Sequence, residues 1–100
     1  MTNRLTFEGD LDHQAVQTIV ETIGAIDRGP LSVDLTEVDI TDGRACAALA
    51  DALRKAAGRI GDVAVIQAPQ ALAHTLYRVG ALGSGTLQLI EPRDELGHAG

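Results

Sequence analysis

The chain has 100 residues and a formal charge of −6, from 14 acidic and 8 basic side chains. Its hydrophobic content is 45%, nearly all Ala, Val, Ile and Leu, with one Phe, one Tyr and no Trp. Such a chain is not disordered, is not steered toward nucleic acid or anionic lipid, and lacks the aromatic platforms that stack bases. One domain with helices packed on a sheet is the expectation.

Arg4 to Glu8 alternates polar and apolar residues, the period of a half-buried strand, and Gly9-Asp10 is expected to break it. Asp12 is placed to cap a helix from His13 to about Asp27, whose Val16, Ile19, Val20, Ile23 and Ile26 recur at three- and four-residue spacing. Arg28-Gly29-Pro30 then stops it. Leu31 to Leu35 reads as a buried strand. Val38 and Ile40 resume it after a polar step, which predicts a kink or bulge at Thr36-Glu37.

A second helix is predicted from Gly43 to about Arg59, with an apolar stripe of Cys46, Leu49, Leu53, Ala56 and Ile60. Its solvated face carries Arg44, Asp51, Arg54, Lys55 and Arg59. Val63 to Gln67 is a further buried strand. Pro69 opens a third helix with Leu72, Leu76 and Val79 inward, and Gly80 closes it. Gly83-Ser84-Gly85 is expected to be a flexible turn, Thr86 to Ile90 the last strand, and residues 93–100 a frayed tail beyond a domain of residues 1–92. Strands alternating with helices imply an α/β domain of about four mostly parallel strands with three helices on the sheet.

Little here suggests chemistry. Cys46 is the sole cysteine, so no internal disulfide forms, and its small neighbours predict a buried thiol. His13, His74 and His98 have no partners at metal-ligand or triad spacing, and Gly83-Ser84-Gly85 lacks the Lys and helix of a phosphate loop. The chain is therefore expected not to be an enzyme and to need no metal or cofactor. The first residues lack signal-peptide order, and no apolar run approaches the about 20 residues that span a bilayer, so a cytoplasmic protein is expected.

The segment that stands out is Asp39 to Arg44. Loops after parallel strands gather at one end of an α/β sheet. If the first two strands are neighbours, Asp10, Asp12, Asp39 and Asp42 share one patch, with Arg44 as counter-charge. The same acidity also serves helix N-termini, and the sequence leaves both readings open.

Phe7-Glu-Gly-Asp-Leu-Asp12, Val33-Asp-Leu-Thr-Glu-Val38 and the run from Leu72 to Val79-Gly-Ala-Leu82 together resemble a STAS domain. This family contains bacterial anti-sigma-factor antagonists and the cytoplasmic ends of sulfate transporters. The resemblance covers Leu5 to Glu91. The family's strand is followed by Asp-Ser-[Ser/Thr]-Gly, whose first Ser a partner kinase phosphorylates. Here Asp42 matches the Asp, but Gly43 replaces the acceptor, Arg44 the next hydroxyl residue and Ala45 the Gly. The resemblance implies a regulatory protein-interaction module without the usual phosphorylation site, its partner an anti-sigma factor or kinase-type regulator. Asp12, Asp39, Thr41, Asp42, Gly43, Arg44, Arg54 and Lys55 are the candidate partner contacts. Thr41, the nearby hydroxyl, is the one substitute candidate for phosphorylation, and its expected job is capping. A small-ligand or nucleotide sensor is the alternative the family offers. The family's usual extra strand before Leu5 does not fit here, which leaves a sheet edge open to dimerisation or partner pairing.

Overall fold

Side-chain alternation decides which face of each strand meets the core, and the helices follow from it. The computed structural model describes residues 3–91. Strands β1 (Asn3–Asp10), β2 (Leu31–Asp39), β3 (Val63–Ile66) and β4 (Leu87–Ile90) form one sheet in the order β1-β2-β3-β4, every neighbouring pair parallel. Helices α1 (His13–Gly24), α2 (Gly43–Ile60) and α3 (Gln70–Arg78) make the three crossovers. The α1 helix packs on α2 and α2 on α3. All three therefore lie on one face of the sheet, as right-handed crossovers in this strand order require.

The opposite sheet face is uncovered. Leu31, Val33, Leu35, Val63, Val65 and Leu87 are buried under the helices. Their alternates Arg4, Thr6, Ser32, Asp34, Ala64, Ile66, Gln88 and Ile90 are half-buried or exposed.

The polar step in β2 is a β-bulge. Thr6 pairs with Asp34 but Glu8 pairs with Glu37, so β2 carries one extra residue. The extra residue resets the alternation, which is why Leu35 and Val38, three apart, both reach the core. Asp34 holds the bulge: Oδ1 accepts the Thr36 amide at 3.0 Å and its hydroxyl at 2.6 Å, while Oδ2 takes Arg4 Nη2 at 2.8 Å. The Thr36 bonds, with Arg4 behind them, hold the Asp34 carboxyl below the usual carboxylate range. A depressed folded-state pKa adds stability above the unfolded-state value and loses it as pH falls through the folded one. Above about pH 5 this contribution is expected to be constant, and from there toward about pH 3 the urea midpoint of the wild type falls faster than that of Asp34→Asn. Parallel pH profiles of the two proteins would show that Asp34 holds nothing.

Several boundaries differ from the sequence reading. Strand β1 continues through Gly9-Asp10, because Gly9 and Asp10 stay in register with Val38 and Asp39. Helix α1 ends at Gly24 and not at Asp27, one turn before the Gly-Pro stop. The turn that replaces this last stretch is held from outside, since Arg59 of α2 donates to the carbonyls of Ile23 (3.1 Å) and Ile26 (3.2 Å). Arg59 thus caps a neighbouring helix instead of facing only solvent. Helix α2 ends at Gly61, whose φ of +87° lets its amide return to the Ala57 carbonyl. The expected flexible turn at Gly83-Ser84-Gly85 is instead the end of a 3-10 helix, Ala81–Ser84, closed by Gly85. Val79, expected inside, is 53% exposed, because α3 ends at Arg78 and the chain leaves the helical phase there. His98 and the expected tail, residues 93–100, lie outside the described residues. Among the described residues no helix is long and apolar enough to cross a membrane.

Candidate functional site

Because β1 and β2 are parallel neighbours, the loops that follow them lie side by side at one end of the sheet. Each opens a helix, and each is tied by an aspartate. Asp12 caps α1, its Oδ1 accepting the Ala15 amide at 2.8 Å. Asp42 caps α2, its Oδ1 accepting the amides of Arg44 at 2.8 Å and Ala45 at 3.4 Å. The cap expected at Thr41 therefore falls one residue later. With the first helical residue at Gly43, only the side chain of Asp42 is placed to reach the free amides of the first turn. Thr41 is left exposed.

The acidic patch divides accordingly. Asp12 and Asp42 serve the helices, while Asp10 and Asp39 stand opposite one another across β1 and β2. The latter two, with Ile40, Thr41, Pro69, Gln70 and Ala71, line a cleft of about 420 Å³ at the carboxyl ends of the strands. Two carboxylates at the mouth make this cleft a poor seat for a bare phosphate. Among the described residues no group of three or more His, Cys, Asp or Glu side chains is arranged to hold a metal.

A second depression starts at the same junction and runs between α2 and α3. Gly43, Cys46 and Ala47 form one wall, and Ala71, Thr75, Arg78 and Val79 the other. It continues past Ala50 to Asp51 and Arg54. Small residues on α2 keep the groove open. Cys46 is buried in its floor, with Sγ 3.4 Å from Thr75 Oγ1. Val79, on the groove wall just past the end of α3, is 53% exposed, and Tyr77 of α3, off the groove lining, is 74% exposed. Arg54 and Lys55 both bind Asp51, at 2.8 and 3.0 Å, and these bonds, Lys55 first, hold its carboxyl below the usual range. Exposed pairs of this kind contribute little and are readily exchanged for a partner's groups. Arg44, Arg54, Lys55, Arg59 and Arg78 give α2 and α3 a basic surface on a chain of net charge −6.

The structure thus brings Asp39, Thr41, Asp42, Gly43 and Arg44 together, with Asp12 on the adjoining loop. Arg54 and Lys55 lie along α2, about 16 Å from Gly43 at the rise of a helix. Tyr77 and Val79 were not legible as surface residues. The available signal was phase: Tyr77 sits one step off the stripe of Leu72 and Leu76.

A family model described as "Mlab, STAS domain" matches residues 2–91. The chain belongs to the STAS domain family. A comparison with curated proteins gives no match.

A Cβ built on Gly43 meets nothing within 4 Å. Gly43→Ser is therefore expected to fold with an unfolding free energy within about 0.5 kcal/mol of the wild type, or slightly above it, since Ser is the better helix residue. Chemical denaturation checks this. A loss above about 1 kcal/mol would mean the junction has no room for a hydroxyl.

Proposed function

We propose that this STAS domain is a non-catalytic regulatory module that binds another protein through the α2 N-terminus and the α2–α3 groove. Its partner class is an anti-sigma factor or kinase-type regulator, as for the antagonists it resembles. Gly43 has no hydroxyl, so the phosphoserine switch of those antagonists does not operate here. The observation that carries the reading is Val79, exposed beside Arg78 on the wall of a groove that begins at Gly43. Exposed apolar and arginine side chains around a depression are usual anchors of an interface. The basic flank of α2 favours an acidic patch on the partner and speeds encounter with it.

The test is affinity capture from host extract with the full chain, followed by identification and titration of the retained protein. Wild type retains a protein of this class, and both Arg78→Ser/Val79→Ser and Asp42→Ala/Arg44→Ala lose it by at least about tenfold. Equal retention by the variants, or no retained protein, overturns the reading.

A further inference from the structure

We propose that a second copy of this chain docks along the outer edge of β1, joining two sheets into one of eight strands. Among the described residues β1 pairs only with β2, so its other side is a row of unpaired backbone groups. Which groups face outward follows from the bonds on the inner side. The Asn3 amide donates to the Pro30 carbonyl at 2.9 Å and the Leu11 amide to the Asp39 carbonyl at 2.8 Å. Amides two residues apart in a strand point the same way, and the bulge lies in β2, so alternation from Asn3 to Glu8 is unbroken. The backbone groups of Arg4, Thr6 and Glu8 therefore face outward.

An antiparallel partner strand must bond to these same three residues. With the two-fold axis at Thr6, Thr6 meets Thr6 of the second copy, and Arg4 meets its Glu8 on both sides of the axis. Each such pair exchanges two N–H···O bonds. The side chains agree with the backbone. Arg4, Thr6 and Glu8 all lie on the uncovered face, so each Arg4 stands opposite a carboxylate. On the helix face, Leu5 meets Phe7 of the second copy at the closer, non-hydrogen-bonded positions. Both are only half-buried in the single chain, and this contact completes their burial.

Neighbouring registers do not achieve this. An axis at Leu5 sets Arg4 against Thr6. An axis at Phe7 sets Glu8 against Thr6 and moves Arg4 toward Asp10, beyond Gly9, whose φ of +98° takes the edge out of extended geometry. The occupant is a second copy and not an unrelated strand because Arg4-Leu5-Thr6-Phe7-Glu8 is complementary to itself in charge and in apolar pairing. This strand contact is small, so a dissociation constant of roughly micromolar to millimolar is expected.

Sedimentation equilibrium of the full chain over that concentration range tests it. The wild type dimerises. Thr6→Pro removes an outward amide that β2 does not use, keeps the fold, and weakens the dimer at least about tenfold. Glu8→Arg weakens it similarly by facing like charges, and mixing Glu8→Arg with Arg4→Glu chains restores association, since each edge then meets the opposite charges. A wild type monomeric throughout overturns the proposal. So does a dimer indifferent to Thr6→Pro and Glu8→Arg, or a mixture of folded variants that stays apart.

Discussion

Leu49→Ala is expected to lower the unfolding free energy by about 2–5 kcal/mol, the range for emptying a closed core site. Leu49 is completely buried in the middle of α2, among Ala45, Cys46, Ala50 and Leu53 on the face that meets the sheet. Surrounding alanines have no spare side chain to fold into the space, so the cavity remains and the upper part of the range applies. Domains of this size hold about 5–15 kcal/mol in total, so the variant loses a large share of its stability. Tyr77→Ala, at a position 74% exposed, is expected to change stability by less than about 0.5 kcal/mol. Urea unfolding of the two variants makes the comparison. A Leu49→Ala loss below 1 kcal/mol would mean α2 is not seated on the sheet as described.

Gly43→Asp is expected to separate folding from binding. A carboxylate at the first turn of α2 interacts favourably with the helix N-terminus by about 0.3–1 kcal/mol, and the position is open to solvent. The variant should fold as well as the wild type or better. Beside Asp42, however, it sets a negative charge where a partner docked at this junction must approach, as a phosphate would. The proposed protein partner should bind it at least about tenfold more weakly, while Gly43→Ser binds as the wild type does. Calorimetric titration of the two variants against the purified partner gives the answer. Unchanged affinity for Gly43→Asp would place the interface elsewhere.

Much of the fold was legible because burial leaves periodic marks. Leu31, Val33 and Leu35 alternate, and the shift from Leu35 to Val38 announced the bulge before its register was known. Leu49, Leu53 and Ala56 likewise fixed the inner face of α2. What failed was decided by contacts distant in sequence. The early end of α1 depends on Arg59 reaching across from another helix, and the exposure of Val79 on where α3 stops against the sheet. The continuation of β1 through Gly9 depends on β2 beside it. At the site, the composition of the Thr41-Asp42-Gly43-Arg44 junction was visible in the sequence. The division of labour among its carboxylates was not. Capping by Asp42 instead of Thr41 is a matter of one residue of helix phase, and the groove beside Gly43 exists only once α3 packs on α2.

The claim that this STAS domain works by docking a protein at the start of α2 is tested most directly by amide hydrogen exchange of the chain with and without its bound partner. The account predicts added protection over residues 42–50 and 70–79, with α1 unchanged. Protection confined to α1, or to the uncovered face of the sheet, would contradict it.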